Sequence, residues 1–164
     1  MAETAAPPRP AEQLERGPGY DEDFVLWTER QAALIRAGRF DLVDWDHVVE
    51  EIESLGISDR RQLAHRLEVL MMHLLKWQFQ PMHRSGSWRS TIRTQRGRIE
   101  RLLKESPSLR RQVARLTREH YASARDMASA ETGFAPATFP ESLPYKPGQI
   151  LDEAFFPGPI DETL

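Results

Sequence analysis

The stretch HLLKWQFQPMHRSGSW, residues 73–88, gathers two histidines, a lysine, two tryptophans and an arginine around one proline. Since histidine titrates near neutral pH, His73 is a candidate base or metal ligand in a cleft beside Trp77 and Trp88. Lys76 is a second catalytic candidate. The alternative places His73 at the border of the core with a hydrogen bond to a neighbour, while Lys76 extends along the helix to solvent. We favour this alternative, which makes the stretch a packing seam.

A metal site would need several histidine and carboxylate side chains on inward helix faces. The chain has five histidines and no cysteine, so thiolate ligation of zinc is impossible. No Glu-x-x-His occurs in the sequence, which argues against the di-iron carboxylate bundles. The candidate ligands that remain are His73 and His120, with Glu51 or Glu53. A histidine on an apolar helix face is more often a core residue than a ligand, so this site is an alternative hypothesis.

Basic side chains concentrate between residues 81 and 120, where 11 Lys/Arg outnumber 3 Asp/Glu in a chain of net charge -3. Such a concentration suits contacts to phosphates, so nucleic-acid binding is one hypothesis. Its candidate residues are Arg89, Arg93 and Arg96 on one predicted helix and Arg110, Arg111 and Arg115 on the next. No DNA-reading motif and no exposed stacking aromatic accompany them. We favour pairing of these arginines with the carboxylates of EEIE, residues 50–53, within the molecule.

Other motifs that carry chemistry are missing from the sequence. Neither Gly-x-Gly-x-x-Gly nor a Walker pattern occurs, so no nicotinamide or flavin use is indicated and no cofactor is assigned. No nucleophile elbow surrounds the serines near His83. No apolar run approaches the ~18 residues needed to span a bilayer, and the first residues lack the apolar centre of a signal peptide. We therefore expect a cytoplasmic protein without membrane contact.

Apolar spacing predicts the helices that hold these side chains. A first helix should follow an N-cap at Asp21 and end at Gly38, and a second should follow Asp44 and end at Gly56. Their inner faces are predicted as Phe24, Trp27, Gln31, Leu34 and Ala37, and as Trp45, Val48, Val49, Ile52 and Leu55.

The third predicted helix, from about residue 58 to about residue 80, is the most apolar of the series. Its inner positions are Leu63, Ala64, Leu67, Leu70, Met71, Leu74, Leu75 and Trp77. A stripe this wide indicates a central helix with neighbours on two sides. Pro81 should end the helix, because proline lacks an amide donor and disfavours helix at the residue before it.

Two more helices are predicted after this proline. The fourth should be capped by Ser87, and the fifth should run from a cap at Ser106, with Pro107 at its first position, to Gly133. Their inner residues are Trp88, Ile92, Gln95, Ile99, Leu102 and Leu103 in the fourth, and Leu109, Val113, Leu116, His120, Ala124 and Met127 in the fifth.

The two ends of the chain differ in composition from its middle. Residues 1–19 are rich in Pro, Ala and Glu without periodicity, which predicts a disordered leader. Residues 134–164 carry six prolines and five aromatics. Because dense proline excludes long helices, an extended arm is predicted, with a short helical turn in QILDEAFF. Its anchors would be Phe139, Tyr145, Phe155 and Phe156, packed on the bundle or on a second copy.

No segment alternates between apolar and polar residues as a half-buried strand does. The sequence therefore predicts an all-α fold, a compact bundle of about five helices over residues 20–133 with an extended Pro-rich C-terminal arm.

Six blocks of the sequence also carry a family resemblance. In order they read YDEDFVLWTERQAALIRAGRF, LVDWDHVVEEIESLG, HLLKWQFQP, SWRSTIRTQR, PSLR and ETGF…FPESLPY…LDEAFFPG. They resemble the bacterial family catalogued as domain of unknown function 29 over roughly residues 20–158. The resemblance implies an all-helical fold and a bacterial source, and it carries over no catalytic residue.

The function that these observations favour is a helical protein-interaction module. Large aromatic anchors, separate acidic and basic blocks and the lack of catalytic motifs suit binding to a protein partner or to a second copy of the chain. Two alternatives stay open. One is a metal-assisted or acid–base enzyme around His73, and the other is nucleic-acid binding through the Arg-rich fourth and fifth helices.

Overall fold

A computed structural model describes residues 17–158, and within them every regular element is helical. The α-helices are α1 (Phe24–Arg36), α2 (Trp45–Phe79), α3 (Gly86–Glu105), α4 (Val113–Glu119), α5 (Tyr121–Thr132) and α6 (Pro147–Leu151). No strand occurs between residues 17 and 158, so the predicted all-α class is confirmed. Most of the predicted leader lies outside the described residues. None of the described helices is long and apolar enough to cross a membrane.

The chain divides into two compact units, residues 1–56 and residues 57–164. The first, unit 1, contains α1 and the beginning of α2, and the second, unit 2, contains the rest of α2 and all later helices. Each unit has its own cluster of buried apolar side chains.

Unit 1 is built on capped helix ends. Asp23, two residues after the predicted cap, begins α1 by accepting a hydrogen bond from the amide of Leu26 at 3.0 Å. Gly38 follows the helix with φ +70°, so this predicted end is confirmed. The buried apolar residues are Trp27, Leu34, Val43 and Val48. Many apolar side chains among residues 17–56 lie outside this cluster and are exposed.

The predicted break at Gly56 is wrong, because α2 passes through this residue without interruption over its full length of 35 residues. A glycine ends a helix where it takes a positive φ, and Gly38 and Gly133 alone do so among the described residues. Good helix formers begin at Arg60, and the continued run of helical hydrogen bonds outweighs the poor propensity of Gly56.

The core of unit 2 forms around the second part of α2. All eight inner positions predicted for the third helix are buried, which confirms its central place in the unit. The helix ends at Phe79, and Pro81 begins a short 3₁₀ turn. Further core residues come from α3, from α4 and α5, and from the C-terminal segment: Ile92, Ile99, Leu102, Leu103, Leu109, Val113, Leu116, Tyr121, Ala124, Ala128, Phe139, Tyr145 and Ile150.

Two predicted boundaries in unit 2 are corrected. Ser85, not Ser87, caps α3, and its hydroxyl accepts from the amide of Trp88 at 3.3 Å. The fifth predicted helix is three pieces: a 3₁₀ helix over Pro107–Gln112, then α4, then α5. The hydroxyl of Ser106 bonds Asp59 at 2.8 Å instead of capping the first turn. That first turn is consequently the tighter 3₁₀ form.

The C-terminal segment, residues 134–158 as described, contributes Phe139 and Tyr145 to the core, while Phe155 and Phe156 are half-buried against it. Its helix α6 begins two residues before the predicted turn and ends at Leu151. Proline stands at the first position of α6, where its missing amide costs no hydrogen bond.

Replacing Gly56 by alanine should stabilise the protein by about 0.5–1 kcal/mol, because glycine costs that much in a helix interior and a Cβ here meets nothing within 4 Å. Urea unfolding followed by circular dichroism measures the change. Gly133→Ala is the matched control and should destabilise, because φ there is +73°. A destabilised Gly56→Ala protein would show that α2 is not continuous.

Candidate functional site

Lys76 in the opening stretch is buried, with 6% of its surface exposed, so the predicted extension into solvent is wrong. Its ammonium donates to the Glu131 carboxylate and lies 4.4 Å from the centre of the Trp88 ring. A carboxylate and an aromatic face together offset the cost of removing the charge from water. Because both contacts occupy the ammonium, Lys76 joins α2 to α3 and α5.

His73, one helical turn before Lys76, is half-buried and in contact with its own helix. Its Nδ1 lies 2.9 Å from the carbonyl oxygen of Val69, so Nδ1 carries the proton and Nε2 holds the lone pair. Burial lowers the pKa of His73, and the positive charge of Lys76 lowers it further, while the hydrogen bond to Val69 acts in the opposite direction. The imidazole is therefore neutral at pH 7. The three cavities described below are lined by other residues.

Trp77 lies in a seam of aromatic rings and arginines. Trp77 packs on Phe156 with ring centres 5.0 Å apart, and the guanidinium groups of Arg84 and Arg89 lie 5.1 and 5.5 Å from its centre. Arg84 also donates to the carbonyl of Trp77 at 2.8 Å and to that of Pro157 at 3.4 Å. The seam thus attaches the C-terminal segment to the end of α2.

Arg96 is buried to 2% exposure, and its whole guanidinium faces main-chain carbonyls of the C-terminal segment. It donates to Ile150 at 2.9 Å, to Glu153 at 3.4 Å and to Phe155 at 2.7 Å. The predicted pairing with side-chain carboxylates is therefore wrong for this residue. A planar fork of donors suits three carbonyls whose bonding would otherwise be lost on burial.

The other arginines proposed for phosphate contact divide into two groups. Arg110 lies 3.4 Å from Glu100, and Arg115 lies 2.5 Å from Glu119. Arg93 and Arg111 are exposed, and neither forms an ion pair within residues 17–158. Arg89, in the seam, covers aromatic rings. The structure therefore does not assemble these side chains into one row of free cations.

The residues suggested as metal ligands have other partners. His120 Nδ1 is 2.7 Å from a carboxylate oxygen of Glu68, and Glu51 accepts a hydrogen bond from the hydroxyl of Tyr20. That bond raises the pKa of Tyr20 to about 12. Glu53 is exposed, and His73 is bonded to its own helix. Over residues 17–158 no group of three or more His, Asp or Glu side chains is placed to hold a metal ion.

The beginning of α2 presents a polar face to α1, contrary to prediction. Asp44 accepts from Trp27 Nε1 at 3.2 Å and contacts His47 Nδ1 at 2.8 Å, and the His47 ring stacks on Tyr20 at 4.2 Å. Together with the Tyr20–Glu51 bond, these contacts use a helix face other than the predicted apolar one. Val48 alone of the predicted inner residues is buried.

The remaining four predicted inner residues of that helix form an exposed row that we name the apolar stripe. It consists of Trp45, Val49, Ile52 and Leu55, which are 47%, 49%, 64% and 67% exposed. On α1 and the following turn, Phe24, Val25, Leu26, Ile35 and Phe40 are exposed as well. Residues 17–56 hold ten acidic and three basic side chains, a balance of -7. Unit 1 therefore presents apolar side chains within an acidic surface.

Unit 2 has a groove between α4 and the C-terminal segment, which we name the arm groove. It comprises two neighbouring cavities of about 470 and 210 Å³ that share Ala114 and Pro147. Its other lining residues are Leu103, Arg110, Val113, Arg118, Ser142, Leu143, Pro144, Tyr145, Lys146, Gly148 and Leu151. A third cavity of about 300 Å³ lies beside Arg96 and Glu153. The arm groove is thus apolar with three basic side chains.

Comparison with protein families gives one match. The family model described as "Domain of unknown function DUF29" covers residues 20–156. No curated protein matches the chain. No solved structure matches it either.

Two features of this site differ from the predictions made from the sequence: the burial of Arg96 and the exposure of the apolar stripe. Arg96 stands four residues after Ile92 and three before Ile99, which places it on the buried face of α3. The spacing of the apolar stripe is visible in the sequence, but its predicted side is wrong. Spacing alone does not show which neighbour covers a helix face, and among residues 17–56 the contacts from α1 and Tyr20 go to another face.

Replacing Arg96 by methionine should destabilise unit 2 by at least about 2 kcal/mol, because three carbonyls lose their donor. Limited proteolysis should then cut the C-terminal segment first, and urea unfolding gives the size of the loss. The control Arg93→Met removes an exposed arginine from the same helix and should change stability by less than about 0.5 kcal/mol. Equal stability of the two variants would show that Arg96 does not hold the segment.

A second prediction concerns acid stability. The pKa of His73 is lowered in the folded protein, so below about pH 6.5 the unfolded chain binds more protons there and the folded state loses stability. The stability advantage of wild type over His73→Gln should therefore shrink between pH 7 and pH 5. At His47 the hydrogen bond to the Asp44 carboxylate raises the pKa, so the advantage over His47→Gln should grow in the same interval. Denaturant titrations at several pH values measure both trends, and a trend of the opposite sign at either histidine would contradict the assignment made for that residue.

Proposed function

The chain belongs to the DUF29 family, whose description names no function, and we propose from its own surfaces that it is a protein-interaction module. The setting that we propose is the bacterial cytoplasm, in line with its charged composition and the bacterial family it resembles. The module would work by burying the apolar stripe of unit 1 against another protein surface.

One observation carries this proposal: the apolar stripe keeps about half to two thirds of each side chain in water. Contiguous apolar surface of this kind is uncommon on proteins that act alone, and it marks contact surfaces. Trp45, Val49 and Ile52 follow one another at i, i+4 and i+7, the spacing by which a helix enters a groove.

The geometry supports this function better than acid–base catalysis. In unit 2, Lys76 is occupied by Glu131 and Trp88, and His73 lines none of the three cavities. A catalytic pair needs room for a substrate beside its reacting atoms. The exposed stripe, in contrast, needs only a surface that covers it.

The double substitution Ile52→Asp with Leu55→Asp should weaken association by at least about tenfold, since charge in an apolar contact is uncompensated. Both side chains are exposed, so the fold should persist. Light scattering over a concentration series measures self-association, and capture from a lysate of the source bacterium measures binding to other proteins.

The matched control is Ser58→Asp with Gln62→Asp, which adds the same charge to exposed positions farther along α2. It should associate like wild type. If wild type is monomeric and retains no protein that the Ile52→Asp/Leu55→Asp variant loses, the proposal is wrong.

A further inference from the structure

We propose that the apolar stripe of one copy docks into the arm groove of a second copy. This inference rests on the proposed function and names the partner of the same stripe. It follows from three properties of the described residues: the lining of the groove, the spacing of the stripe and the opposite charges of the two units.

The arm groove is shaped and lined for an apolar helix face. Its larger cavity, about 470 Å³, falls within the range of ~300–1,000 Å³ that is usual for binding pockets. Leu143, Pro144 and Pro147 form one wall, and Val113 and Leu151 extend the apolar lining into the neighbouring cavity. Prolines suit such a wall because their rings are rigid and lose little entropy when covered.

The basic side chains of the arm groove can pair with acidic groups of a partner. Arg118 uses its Nε to reach the Ala114 carbonyl of its own helix at 2.9 Å, and Lys146 is exposed. Neither forms an ion pair with a carboxylate among residues 17–158. Arg110 already forms an ion pair with Glu100 at 3.4 Å. An apolar ligand with acidic edges therefore fits this groove better than a neutral or basic one.

The stripe has the acidic edge that the groove requires. Glu50 and Glu53 lie in the same helical segment as Val49 and Ile52 and are exposed. With 100° between successive residues of a helix, Glu53 falls beside Val49 at the edge of the stripe, and Glu50 lies farther round on the same side. When the stripe enters an apolar groove, Glu53 comes to its rim, where Arg118 and Lys146 stand, and Glu50 adds negative charge on that side.

The charge balance selects a second copy as the occupant. Residues 17–56 carry -7, while residues 57–158 hold 17 basic and 10 acidic side chains, a balance of +7. Two stripes meeting face to face would bring two acidic surfaces together, which costs energy. A stripe meeting the groove of another copy joins opposite charges. Each copy has one stripe and one groove, so a reciprocal two-fold dimer is the assembly that makes this contact twice.

Charge exchange between two variants tests the inference. One chain carries Glu50→Lys and Glu53→Lys, and the other carries Arg118→Glu and Lys146→Glu. Either variant alone brings like charges together at both contacts of its dimer, so its association should be at least about tenfold weaker than that of wild type. An equimolar mixture joins opposite charges at both contacts, and its association should return to within about threefold of wild type. Sedimentation equilibrium with one chain fluorescently labelled measures each constant.

Two control variants carry the same changes of charge outside both surfaces. Arg93→Glu with Arg101→Glu matches the groove variant, and Glu105→Lys with Asp126→Lys matches the stripe variant; all four positions are exposed. Neither control should be rescued specifically by mixing. Circular dichroism and thermal melts verify that every variant folds like wild type.

The outcomes separate this inference from the proposed function. If wild type self-associates but the mixture does not recover, the arm groove is not the docking site. If wild type is monomeric yet binds another protein through the stripe, the second copy is the wrong occupant and the interaction module stands. If wild type is monomeric and no binding depends on the stripe, both proposals are wrong.

Discussion

The size of unit 1 is the constraint on which its surface depends. Over residues 17–56, two helices joined by a short turn cover only one face of each other, and a small unit buries a small share of its apolar residues. The inner side holds the buried Val48 together with two polar bonds, from Trp27 to Asp44, just before α2, and from Tyr20 to Glu51 in α2. The apolar stripe therefore stays outside, and we propose that a partner surface covers it.

In unit 2 a buried charge holds the C-terminal segment in place. The guanidinium of Arg96 donates to three main-chain carbonyls of this proline-rich segment, whose prolines have no amide hydrogen to donate. With the segment held there, Phe139 and Tyr145 complete the core, and the prolines that follow form a wall of the arm groove. The groove thus exists because a cation in the core replaces the hydrogen bonds that prolines cannot make.

Much of the fold could be predicted from the sequence, and particular residues show where prediction stopped. The stripe from Leu63 to Trp77 and the glycine at position 133 are local signals, and both predictions are confirmed. The predicted helix end at Gly56 is wrong because glycine ends a helix only where the chain turns. No local pattern shows whether the chain turns at a given glycine. Whether Lys76 and the apolar stripe are buried or exposed depends on groups distant in sequence, Glu131 for Lys76 and α1 for the stripe.

Methyl NMR with a soluble gadolinium chelate can show whether the stripe is free in one copy and covered in an assembly. Selective labelling reports the relaxation of Val49, Ile52 and Leu55. We expect strong relaxation at the lowest protein concentration and protection as the concentration rises, while the buried methyls of Leu67 stay protected throughout. Protection of the three methyls that persists on dilution would contradict this expectation, because the stripe would then be covered within a single chain.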